Sequence, residues 1–124
     1  MQAQQNDDRA TQATLETVDR FNEAFSQHDV KAVMALMTDD VVFESTSPAP
    51  DGQRYEGQDA VRAAWEDLFR SAPNARFEAE EIFAGGDRCT VRWRYSFNGG
   101  HIRGVDVIRV RDGKVAEKLA YVKG

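Results

Sequence analysis

The feature that most constrains this chain is a change of hydrophobic period at Pro73. Before it, apolar residues recur every three or four positions; after it, they alternate with polar ones. Leu15, Val18, Phe21 and Phe25 form one stripe, which predicts a helix from about Asp8 to Gln27. Asp29 is placed to cap a second, short helix through Val30, Val33, Met34 and Met37. Val41 to Phe43 reads as a short strand, and Pro48, Pro50 and Asp51-Gly52 as a loop. Val61, Ala64, Trp65, Leu68 and Phe69 then give the cleanest helical stripe in the chain.

Beyond Pro73, Phe77, Ala79, Glu81 and Phe83 alternate with Arg76, Glu78, Glu80 and Ile82. Val91, Trp93, Tyr95 and Phe97 alternate with Arg92, Arg94, Ser96 and Asn98. Two further strands span Ile102 to Val110 and Lys114 to Val122. Their separators, Gly85-Gly86-Asp87, Asn98-Gly99-Gly100 and Asp112-Gly113, are hairpin signals. Helices followed by a meander make an α+β fold, with the helices laid across one face of a curved, mainly antiparallel sheet.

Register follows from the same alternation, because a slip of one residue exchanges the faces. Pairing Phe97 with Ile102 sets Trp93 opposite Asp106; pairing Glu80 with Arg92 sets Glu78 opposite Arg94 and Ala79 opposite Trp93. One face then carries the aromatics and the other the arginines and glutamates. Asp106 is the misfit, a carboxylate in phase with the apolar face. There it needs a partner, water or a proton.

Composition removes many alternatives. At 124 residues the chain has the size of one domain, 1–124, with the polar residues 1–8 expected to fray. No apolar run approaches the ~20 residues of a membrane span. The polar N-terminus is no signal peptide, so the expected location is cytoplasmic. Cys89 stands alone and only His28 and His101 accompany it, so no metal or cofactor is expected. Gly-rich phosphate loops and nucleophile elbows are absent. Residues 1–60 carry 4 basic and 12 acidic side chains, residues 61–124 carry 12 and 9. The basic excess lies on strands where glutamates intercalate with arginines, and the formal net charge is −5, which argues against a nucleic-acid partner.

Several phrases in order carry a resemblance: Phe-Ser-Gln-His-Asp-Val (25–30), Leu-Met-Thr-Asp-Asp-Val-Val-Phe (36–43), Tyr-Glu-Gly-Gln-Asp-Ala-Val (55–61) and Gly-Val-Asp-Val-Ile-Arg-Val-Arg-Asp-Gly-Lys-Val (104–115). Over residues 10–122 the chain resembles the nuclear transport factor 2-like superfamily, in its SnoaL-like and ketosteroid isomerase-like branch. The resemblance implies a cone-shaped α+β barrel enclosing an apolar pocket, and a homodimer through the outer sheet face.

It does not carry over a complete mechanism. Where ketosteroid isomerases have a helix-1 tyrosine, the matching residue here is Phe21; the base carboxylate falls on Ser45, beside Glu44; the protonated aspartate of the oxyanion hole falls on Asp106. One of three groups remains. The Asp-Arg-Asp set of limonene epoxide hydrolases meets Arg92, but its carboxylate positions fall on Arg94 and Ala120. The late Glu-His-Trp phrase of polyketide cyclases reads Glu117-Lys118-Leu119, without the histidine.

The candidate catalytic residue is therefore Asp106, acting as acid or base in cofactor-free isomerisation, cyclisation or dehydration. Candidate pocket residues are Phe21, Ser45, Tyr55, Trp65, Trp93, Tyr95 and Lys118, holding a small apolar or aromatic molecule. The competing reading is a non-catalytic binding or dimerisation module, its cavity filled by Trp65, Trp93, Tyr95 and Met37, with Asp106 in a structural ion pair. A plain two-residue turn at Asp112-Gly113 sets Leu119 opposite Asp106, whereas a glycine bulge there sets Lys118 opposite it. The aromatics also read as plain core, Cys89 as a buried small residue, and His28 and His101 as surface or capping groups.

Overall fold

The structure is a computed structural model that describes the backbone of residues 2–124 and the side chains of residues 8–124. The expectation that residues 1–8 fray falls on a segment whose first seven side chains lie outside the described residues. Three helices, α1 (Gln2–Ser26), α2 (Val30–Ala35) and α3 (Gln58–Ser71), accompany six strands. The strands are β1 (Met37–Glu44), β2 (Arg54–Glu56), β3 (Arg76–Gly85), β4 (Arg88–Phe97), β5 (Gly100–Arg111) and β6 (Lys114–Val122). They form one sheet in the order β2-β1-β6-β5-β4-β3, antiparallel except for the β1–β6 pair. α1 packs on β3, β4 and β6, and α3 on β1 and β2. The result is the α+β fold expected from the period change, with the cone shape that the family resemblance implies. Among the described residues, no helix is long and apolar enough to cross a membrane.

α1 buries Thr14, Thr17, Val18, Phe21, Ala24 and Phe25, a stripe at helical spacing. Its end is a Schellman arrangement: His28 takes φ 56° and its N–H donates to Phe25 O, while Asp29 N–H reaches back to Ala24 O. Asp29 then caps α2, its carboxylate accepting from Ala32 N at 3.1 Å. The His28 ring stacks on Phe69, centroids 4.4 Å apart. Two threonines one turn apart clamp the β3–β4 hairpin to α1: Thr14 Oγ1 donates to Gly86 O at 2.7 Å, and Gly86 N–H donates to Thr11 Oγ1 at 2.8 Å.

Four expectations are corrected. Met37 opens β1 rather than ending α2, because Leu36 closes that helix and Met37 pairs with Val115. β2 was not expected, its three residues being too short for a periodic signal. Glu80 does not pair with Arg92: a bulge places Glu81 there, while Glu78–Arg94 and Ala79–Trp93 pair as expected. The extra residue exchanges the faces beyond it, so Ile82 packs on the core and Phe83 is 72% exposed. Finally, β4 and β5 slide by two residues, so that Tyr95 meets Ile102, Trp93 meets Gly104 and Val91 meets Asp106. A slip of two keeps each side chain on its expected face.

Candidate functional site

The sheet and helices enclose a cavity of about 480 Å³ whose wall includes Phe25, Phe43, Trp65, Trp93, Asp106 and Lys118. Exposed Ser47, Asp67 and Ser71 line its mouth. At its inner end lies a buried ion pair. Asp106 is fully buried, Lys118 is 5% exposed, and Lys118 Nζ stands 3.2 Å from Asp106 Oδ2.

Strand register builds this pair. The Asp112-Gly113 turn is the plain two-residue kind, with both residues at positive φ. The irregularity falls further on, between Arg109 and Val110, where β6 carries one extra residue. Asp106 therefore faces Ala120, and Lys118 faces Ile108. Neither expected register holds, yet Lys118 ends one pair along on the same face, within reach of a long side chain. Ala120 contributes only a methyl to the cavity wall opposite the carboxylate.

Each charge has its own surroundings. Asp106 Oδ1 accepts from Trp93 Nε1 at 3.0 Å. Gly104 makes room for that indole: a Cβ there would meet Trp93 Cζ2 at 2.4 Å and Tyr121 O at 2.1 Å. Lys118 Nζ lies 5.4 Å from the centroid of Phe25 and 5.2 Å from those of Phe43 and Trp65, an aromatic cage for a cation. Burial pushes the Asp106 carboxyl above the ordinary carboxylate range, against the opposing pull of Lys118 and the Trp93 hydrogen bond.

The remaining sequence candidates are distributed unevenly. Tyr55 and Tyr95 line the cavity. Tyr55 stacks on Phe43 and donates to Gln53 Oε1 at 3.1 Å. Among the described residues, the Tyr95 hydroxyl is buried without a hydrogen-bond partner, as is Trp65 Nε1. Ser45 reaches the wall, but its hydroxyl serves the loop, donating to Ser47 O at 2.8 Å and accepting from Gln53 N at 3.0 Å. Phe21 is corrected: it is fully buried in the core, stacked on Phe25, and takes no part in the cavity wall. One helical turn separates the two rings. Phe25 was missed because its role depends on Lys118, brought from the far end of the chain. Met37 is buried away from the cavity, which its side chain does not fill. Among the described residues, no group of three His, Cys, Asp or Glu is placed to hold a metal ion.

The family model for the SnoaL-like domain matches residues 18–118. This chain belongs to the SnoaL-like domain family. The domain is 43% identical to an NTF2-like protein of unknown function from Mesorhizobium loti, covering 92% of this chain and 93% of that one, with a TM-score of 0.82. A ketosteroid isomerase-like protein from Kribbella flavida shares its fold at 15% identity, with coverage of 92% and 80% and a TM-score of 0.81. So does a polyketide cyclase-like protein from Sinorhizobium meliloti, at 24% identity, coverage of 85% and 93%, and a TM-score of 0.74. No curated protein matches the chain.

Proposed function

We propose that this SnoaL-like domain binds a small, mainly apolar or aromatic molecule in its cavity, with the Asp106–Lys118 pair meeting the molecule's polar end. The observation that carries this reading is an ion pair at the inner end of an aromatic-walled cavity rather than in packed core. A buried pair costs more in desolvation than it commonly returns in stability, so its place beside open space points to a ligand.

The chemistry such a site supports is cofactor-free proton transfer: isomerisation, cyclisation or dehydration. Asp106 is the proton carrier, a carboxyl in the cavity wall whose affinity for a proton is raised by burial. A second reading, binding without turnover, is favoured by the engagement of both carboxylate oxygens, one with Trp93 and one with Lys118. The homodimer is a proposal supported by Phe83 and Tyr121, exposed on the outer sheet face.

A thermal-shift screen of steroid, terpenoid and aromatic compounds against wild type and Asp106→Asn tests the proposal. Compounds that raise the melting temperature of wild type, with a different shift for the variant, support contact with the pair. Turnover of such a compound by wild type alone favours the catalytic reading. A screen in which none of these classes stabilises the protein contradicts the proposal.

A further inference from the structure

Lys118 is one of four lysines, and the other three, Lys31, Lys114 and Lys123, are exposed. A surface lysine is normally a solvated charge; a lysine in an apolar cavity beside a carboxylate is a candidate nucleophile. Lys118 lines the cavity, and its Nζ lies 3.2 Å from Asp106 Oδ2. Ala120 leaves space across from that carboxylate.

We propose that Lys118 Nζ captures aldehydes or ketones in this cavity as an imine, an inference that rests on the cavity being a small-molecule site. The substrate class is a carbonyl attached to an aromatic or alicyclic body, which Phe25, Phe43, Trp65 and Trp93 would contact. The step begins when the pair exchanges its proton, leaving Lys118 as amine and Asp106 as carboxylic acid. Burial of Asp106 favours that neutral arrangement. The amine nitrogen adds to the carbonyl carbon, and Asp106 gives its proton to the oxygen. The nitrogen then loses a proton to Asp106, which delivers it to the hydroxyl as that group leaves. One water departs, a C=N bond replaces the C=O bond, and Asp106 ends ionised. Protonation of the imine nitrogen draws electrons from the neighbouring carbon, so a C–H beside the former carbonyl becomes acidic. The covalent step thus serves the same proton-transfer chemistry.

The test uses 2-naphthaldehyde with sodium cyanoborohydride, which converts an imine to a stable secondary amine, followed by peptide mapping by mass spectrometry. Labelling of Lys118 should exceed that of Lys31, Lys114 and Lys123 by at least about tenfold, as expected for a site that positions the carbonyl. Lys118→Arg, which keeps the charge, should lose the adduct, and Asp106→Asn should slow it. In parallel, 2-naphthalenemethanol, of the same shape without the carbonyl, should raise the melting temperature and protect Lys118. If the alcohol binds but Lys118 labels no faster than the exposed lysines, the imine is overturned and the cavity reading stands. If the alcohol does not bind and Lys118 is not preferred, both fall.

Discussion

Trp93 Nε1 donates to Asp106 Oδ1 at 3.0 Å, across a strand pair in which Trp93 faces Gly104, two residues before the aspartate. This diagonal contact fixes the carboxylate so that its second oxygen turns to Lys118. Gly104 is what permits it. A methyl group there would overlap both the indole and the backbone oxygen of Tyr121. Gly104→Ala should therefore destabilise the fold by about 3 kcal/mol or more, above the usual cost of an overpacked core position. Urea unfolding followed by tryptophan fluorescence measures it; a change below about 1 kcal/mol would mean that the sheet accommodates the methyl.

The two halves of the ion pair should respond unequally to removal. Without Asp106, Lys118 keeps three aromatic rings around its ammonium. Asp106→Asn should therefore change stability at neutral pH by no more than about 1–2 kcal/mol, each ring contact being worth a fraction of that or more. Without Lys118, Asp106 is a buried carboxylate with one indole donor. Lys118→Met should cost more, about 3 kcal/mol at neutral pH, because Asp106 must then either stay charged beside a single donor or take up a proton. Chemical denaturation of both variants checks the order, and equal losses would contradict it.

The pH dependence has a definite sign. The folded state holds the Asp106 proton above the ordinary value of 3.8, so between the two values it binds more protons than the unfolded chain. The contribution of Asp106 is full below 3.8 and is lost as pH rises through the folded value. Asp40, held low by Arg111, and Glu80, held low by Arg103, act in the opposite sense, their contributions being lost as pH falls. Subtracting the stability of Asp106→Asn from that of wild type isolates the contribution of Asp106. That difference should fall as pH rises from about 4 toward neutrality; a difference that climbs would reverse the assignment.

Cys89 provides a probe of the closed core. It is 2% exposed, and burial pushes its thiol up to about 11. Its reaction with a disulfide reagent at mildly alkaline pH should be slower than that of a free thiol by a factor of about 100 or more, and should require opening of the fold. Labelling rates measured against denaturant concentration test this. A fast rate independent of denaturant would place the thiol at the surface.

Much of this architecture is legible in the sequence because period and turn chemistry are local. The stripe through Val18, Phe21 and Phe25, the alternation of Val91, Trp93 and Tyr95, and the Asp112-Gly113 turn each declare themselves within a few residues. What is not local is less legible. The bulge at Glu80 turns Phe83 outward with no change in the alternation to announce it. The irregularity in β6 decides which residue meets Asp106, and the chain alone left Leu119 and Lys118 as the alternatives. Asp106 itself was visible as a charge in an apolar phase. The cage around Lys118 was not, because it joins residues from α1, β1, α3 and β6.

The central claim is that the space above the Asp106–Lys118 pair holds the ligand. Ala120→Leu fills that space from the residue directly opposite Asp106 without touching the pair's chemistry. The most direct measurement is a calorimetric titration of the tightest compound from the thermal-shift screen into wild type and this variant, both checked for an unchanged fold. The account predicts a loss of affinity of about tenfold or more, or roughly 1.4 kcal/mol, in the filled cavity. Equal affinity in the two proteins would place the ligand elsewhere and contradict it.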